Sequence, residues 1–182
     1  MRRKELKEKF QRDMVIRVDI LRNISIDYNY AKYLYQDSIS MNLNQHWSRV
    51  RHNFYKILFI DIAKLYSNPK SGNQKFNFLK LLTRLEKGDY KKFGMRIERI
   101  THFKSELDSH KIFFEVVREY RDTLFAHTEI QAGIGPTDIF FSKLEEIINL
   151  GFNICNEISK AILNKEIVNI INLIDLSDLK TD

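Results

Sequence analysis

Residues that break helices are scarce in this chain. Two prolines and six glycines are spread over 182 residues, sparse for a β-rich or loop-rich protein. Between them, apolar residues recur at helical spacing. The pattern predicts an all-α fold, a bundle of antiparallel helices with four core helices and additional ones around them. Helices are expected at about 3–22, 43–66, 74–86, 92–107, 111–127 and 138–164, with a short helix possible in the tyrosine-rich stretch Tyr28, Tyr30, Tyr33 and Tyr35. Trp47, Val50, Phe54, Leu58 and Leu65 share one side of the second segment, with Ile57 at its margin. Phe113, Val116, Val117, Tyr120 and Leu124 do the same at 111–127. Pro69 and Gly72 mark a loop at 67–73, Gly88-Asp89 a break, and 131–136 a second loop, after which Thr137 or Asp138 caps a helix. One domain is expected: a basic helical extension at 1–40, a bundle core at 43–165 and a tail at 166–182.

Composition narrows the classes. Apolar residues make up 43% and charged residues 30%, the balance of a soluble globular chain. No apolar run approaches the roughly 20 residues of a membrane span. The basic N-terminus has no apolar stretch behind it, so neither a signal peptide nor a membrane partner is expected. The single Cys155 rules out an internal disulfide and a cysteine zinc cluster. It sits on an apolar stripe, which reads as an inert buried thiol in a cytoplasmic protein. The net charge of +6 is uneven, with a balance of +10 over residues 1–136 and −4 over 137–182. A basic front of this kind suits a polyanion such as nucleic acid, and equally a generic solvated surface.

The most informative segment is Glu119-Tyr-Arg-Asp-Thr-Leu-Phe-Ala-His127. Arginine presents a rigid charged fork that fits a phosphate. Histidine is the side chain best suited to move a proton near neutral pH. The two suffice for metal-free RNA cleavage, in which a ribose 2′-OH attacks the neighbouring phosphodiester. On a straight helix, however, Arg121 and His127 stand about 120° apart around the axis and roughly 9 Å apart along it. Either the helix ends near Ala126 and His127 swings round, or two copies of the motif meet across a two-fold axis.

Other polar residues stand out. Asp61 falls within an apolar stripe and needs a partner, for which Arg121, His127 and Arg51 are candidates. His46, Arg49 and His52 read as an exposed face. Glu98, His102 and Glu106, at i, i+4 and i+8, read as a salt-bridging face rather than a metal site. No phosphate-binding glycine loop, dinucleotide fingerprint or HExxH is present, and no motif supports Ser/His/Asp hydrolysis.

The string Arg121-Asp122 with His127 five residues on, followed by Thr128-Glu129, resembles the signature of the HEPN superfamily, most closely its abortive-infection branch. Thr123 departs from the pattern, standing where a basic residue is common. The resemblance implies an all-α homodimer whose two motifs share a composite cleft, acting as a metal-independent endoribonuclease in toxin–antitoxin or antiviral defence systems. His127 would be general base on the 2′-OH or general acid on the leaving oxygen, and Arg121 would stabilise the phosphate. Asp122 would orient one of them or shape the cleft, with Glu129 behind them; Asp61, from its place in the apolar stripe, is expected either in a structural ion pair or behind the site. Products would carry 2′,3′-cyclic phosphates, and no cofactor is implied. Lys91, Lys92, Arg96 and Arg99, in the basic stretch 80–104, could guide RNA to the cleft. The alternative is a non-catalytic module that binds RNA or a nucleotide, or that partners a nucleotidyltransferase or antitoxin. A purely structural helical interaction protein is the third reading.

Overall fold

The computed structural model describes residues 3–40, 45–66, 75–126 and 138–165, with side chains throughout except at 36–40, 45–48, 123–126 and 138–139. These residues form six α-helices, α1 (Arg3–Ser40), α2 (Gln45–Tyr66), α3 (Phe78–Glu86), α4 (Ile97–Ser109), α5 (Lys111–Ala126) and α6 (Asp138–Leu163), with one 3-10 turn at Asp89–Phe93. No strand occurs among the described residues. The all-α expectation holds, and the loop at 67–73 and the tail beyond 165 lie outside the described residues.

The leader helix and the tyrosine-rich stretch are one helix rather than two. Leu6, Phe10, Met14, Val18, Leu21, Ile24, Tyr28, Ala31 and Leu34 are all buried. Their steps of three and four residues continue unbroken through the tyrosines, so a single apolar face runs the length of α1. Residues 3–40 are therefore not an appendage to a core at 43–165; they supply one of its four long helices.

Ring contacts fix the arrangement. Tyr30 stacks on Phe54 at 5.0 Å, joining α1 to α2. Phe59 stacks on Tyr120 at 5.6 Å and Tyr66 on Phe114 at 5.1 Å, so α2 and α5 run antiparallel. Tyr28 meets Phe141 near the start of α6, and α1 also runs antiparallel to that helix. In α2, Leu58 and Leu65 are buried as the stripe predicts, Phe54 is half-buried and Ile57 is exposed. Tyr55, Phe59, Ile62 and Tyr66 are buried too, because α2 packs on both α1 and α5. Trp47 and the cap at Thr137 or Asp138 fall on side chains outside the described set.

The smaller elements close the end where α1 begins. The α3 helix starts at Phe78, where the Asn77 side chain accepts a hydrogen bond from the Lys80 amide at 3.2 Å. The helix expected at 92–107 instead begins at Ile97. Gly94 takes a left-handed conformation (φ 70°) that ends the 3-10 turn before it. Arg17, with no exposed surface, locks this end to α1 by donating to the carbonyls of Asp13, Lys75 and Phe76. Asp13 accepts from Tyr90 Oη at 2.7 Å and Arg84 Nη1 at 3.3 Å. Cys155 is fully buried in α6, and burial pushes its thiol up to about 12, as an inert core residue requires.

Gly151 sets the approach of α6 to its neighbours. Tyr66 Oη donates to the Ile147 carbonyl at 2.8 Å, across the space a side chain at 151 would need. A Cβ there would collide with Tyr66 Oη and stand 2.6 Å from Leu21 Cδ2. Gly151→Ala should therefore destabilise the fold by about 1–3 kcal/mol despite alanine's better helix propensity. Tyr66→Phe added to that variant should recover part of the loss, read as denaturation midpoints in a double-mutant cycle.

Candidate functional site

Arg121 stands near the C-terminal end of α5, and packing of the preceding residue fixes its direction. Tyr120 lies against Phe59 at 5.6 Å and Phe140 at 5.9 Å, turning that side of α5 into the core. One residue on, 100° around the helix, Arg121 emerges at the flank with 26% of its side chain exposed. Its Nε and Nη2 both donate to Asp122 Oδ1, at 2.9 and 2.6 Å. Asp122 is itself 60% exposed. The carboxylate holds the guanidinium in one orientation and occupies two of its five donors. The remaining donors have no partner among the described residues, so the fork is both aimed and able to accept an anion. α5 is described as far as Ala126, and His127 and Glu129 lie outside the described residues.

Asp61 does not join this site. It is buried as the stripe requires, but its partner is Lys64, three residues on, at 2.6 Å; Arg51 and Arg121 do not pair with it. The reason is angular. Asp61 lies about 200° around α2 from Phe59, the ring that faces α5. It therefore faces α1, where Asp27 is its neighbour.

The proposed guiding residues also stand apart from Arg121. Lys91, Lys92, Arg96 and Arg99 are all exposed, and Arg99 reaches Glu157 of α6 at 3.9 Å. They adjoin the turn whose Tyr90 and Phe93 pack on Phe10 of α1. Arg121 lies instead at the level of Tyr28, through the Tyr120–Phe140 and Tyr28–Phe141 contacts. Positions 10 and 28 of α1 are about 27 Å apart along the helix axis at 1.5 Å per residue. These four cations are thus a separate patch at the far end of the bundle.

Nearer cations went unremarked in the sequence. Arg118 and Lys111, three and ten residues before Arg121, lie within about 80° of it around α5. Helical spacing of charge along α5, applied as it was to apolar residues, would have found them. His102 Nε2 pairs with Glu106 at 3.4 Å in the salt-bridging manner expected. Arg49 is exposed, but His52 is half-buried with no partner for Nε2 among the described residues, and burial beside Lys56 and Arg51 lowers its pKa. The structure describes no His46 side chain. No helix among the described residues is long and apolar enough to cross a membrane.

A sequence model of the HEPN AbiU2 family matches residues 20–179. The chain belongs to that family, and so to the HEPN domains of the abortive-infection type. No curated protein and no solved structure gives a match. The matched stretch takes in most of α1, all of α2 to α6 and the Arg121–His127 segment.

The Asp27–Asp61 pair gives a pH signature. Burial first, and repulsion by Asp61 second, raise the Asp27 carboxyl from 3.8 to about 6. The folded chain thus holds this proton more tightly than the unfolded one. The resulting stabilisation is complete below about pH 3.8 and is lost as pH rises through 6. Above that, an ionised, desolvated Asp27 beside Asp61 opposes folding. Asp27→Asn should raise unfolding stability by roughly 1–2 kcal/mol at pH 7.5 and leave it nearly unchanged at pH 4, as read from urea midpoints.

Proposed function

We propose that this chain is a metal-independent endoribonuclease of a toxin or phage-defence system, with Arg121 and His127 as its catalytic residues in a cleft shared by two copies. The observation that carries the reading is Arg121 itself: a partly exposed guanidinium oriented by Asp122, six residues before a histidine, within the matched AbiU2 segment. A non-catalytic module would have no need of that histidine.

The chemistry follows from these groups. One His127 takes the proton of a ribose 2′-OH as the 2′-oxygen bonds to the adjacent phosphorus. The bond from phosphorus to the 5′-oxygen breaks, and that oxygen takes a proton from the His127 of the second copy. Arg121 lies against the non-bridging phosphate oxygens, where charge accumulates, and its free N–H groups stabilise it. The products are a 2′,3′-cyclic phosphate and a 5′-hydroxyl. Two copies also resolve the angular problem of the motif, because each phosphate can then meet an arginine and a histidine from different helices. Asp122 keeps Arg121 from collapsing onto other acceptors while the site is empty.

The test is incubation of purified protein with mixed RNA in EDTA, followed by end-group analysis. Cleavage to cyclic-phosphate ends is expected. Arg121→Ala should slow it by about 10²–10³-fold and His127→Ala by about 10²–10⁴-fold. In cells, expression of the parent chain should arrest growth and His127→Ala should relieve the arrest. A folded dimer that leaves RNA intact but binds it tightly would instead indicate a binding module.

A further inference from the structure

Back along α5 from Arg118, three residues before Arg121, the junction of α2, α3, α4 and α5 forms a cleft of about 170 Å³. Its walls are apolar, with Leu79 from α3, Leu107 from α4 and Phe114 from α5 among them. Its rim is charged: Lys111 and Arg118 lie on one lip, and Asp108 and Glu115 are close by. Lys104, which also lines the cleft, is closed by Glu86, and elsewhere opposite charges close on one another, as in Arg84–Asp89 and Lys143–Glu146. Among the described residues, Lys111, Arg118, Asp108 and Glu115 form no ion pair or side-chain hydrogen bond, although Glu115 lies four residues from Lys111 and three from Arg118. The cleft therefore combines apolar walls, two available cations and two available acceptors.

We infer that this cleft is a nucleotide subsite, holding one unit of single-stranded RNA next to the phosphate on Arg121. The inference rests on the nuclease reading and adds the substrate's strandedness and path. The apolar walls take the base, since every base has an apolar face and single-strand binders use it. Asp108 and Glu115 accept from the base's N–H groups. Lys111 and Arg118 take the flanking phosphates, and Arg118 stands one turn from Arg121, about 4.5 Å along the axis. A paired strand cannot enter, because its base faces are already stacked. The volume suits one ring system and falls below the roughly 300 Å³ at which pockets for drug-sized ligands begin.

The test uses a fluorescent single-stranded RNA with 2′-O-methyl groups, which cannot be cleaved by 2′-OH attack, and measures binding by anisotropy at several salt concentrations. Lys111→Glu with Arg118→Glu should weaken binding at least tenfold and flatten the salt slope by about 1.4, the value for two lost phosphate contacts on a single strand. Lys91→Glu with Lys92→Glu, an equal charge change at the far patch, should weaken it less than threefold. Both pairs are on the surface, and unchanged melting curves confirm that the fold is kept. A 4-thiouridine version should crosslink to residues 104–118 or to Leu79. Equal weakening by the two pairs, no weakening by the first, or crosslinks confined to other segments would overturn the subsite. If Arg121→Ala still abolished cleavage in that case, the nuclease reading would survive alone. A parent protein that neither binds nor cleaves RNA would overturn both.

Discussion

The candidate site depends on the stack between Phe59 and Tyr120, closed at its edge by Phe140. Rings constrain a helix because their contacts have preferred geometry as well as area. The second stack, Tyr66 on Phe114, lies six residues back along α5 and prevents the helix from pivoting. With Tyr120 fixed, the direction of Arg121 follows from the peptide geometry alone. The guanidinium needs no further contact to the core, and Asp122 completes its orientation from the solvent side.

A second lock holds the opposite end. Arg17 has no exposed surface, and desolvation lowers its pKa, yet three backbone carbonyls accept its N–H groups. A buried cation left unpaired would be strongly destabilising; one whose fork is satisfied by carbonyls fixes whatever supplies them. Here these are α1 and the segment leading into α3. Arg84 extends the lock through Asp13 and Asp89 and over the Tyr90 ring at 3.8 Å. The bundle therefore has a lower end, where α1 begins, tied by buried arginines as well as rings, and an upper end, around Tyr28 and Arg121, held by aromatic stacks. The chemistry is proposed only for the upper one.

Much of this was legible in the sequence. The paucity of proline and glycine, with apolar residues in steps of three and four, was enough for the helix set and the antiparallel bundle. Arg121, Asp122 and His127 stood out because a short, unusual string carries them. The errors have physical causes. The tyrosines of α1 read as polar, although Tyr28 buries its ring and satisfies its hydroxyl on Glu145 at 2.8 Å. Asp61 does form the ion pair its apolar stripe demands, but with Lys64 rather than Arg51 or Arg121, because α2 is buried on two sides and periodicity does not say which neighbour faces which side. The cluster at 91–99 was dense in sequence and so looked like a binding surface. Density along the chain says nothing about distance from Arg121, which only the packing of α1 against both ends determines. Arg118 and Lys111 drew no notice for the converse reason, being sparse in sequence although aligned on one face of α5.

The claim that links these observations is that the nucleophile comes from the RNA itself, with the protein supplying only a charge clamp and proton transfer. It is tested most directly by replacing the single ribose 5′ to the mapped cleavage position with its 2′-deoxy counterpart and repeating the reaction in EDTA. The account predicts that this one bond becomes resistant while neighbouring susceptible bonds are still cut to cyclic-phosphate ends. Continued cleavage at the deoxy position, leaving a linear phosphate, would mean that water or a protein group attacks instead, and would contradict it.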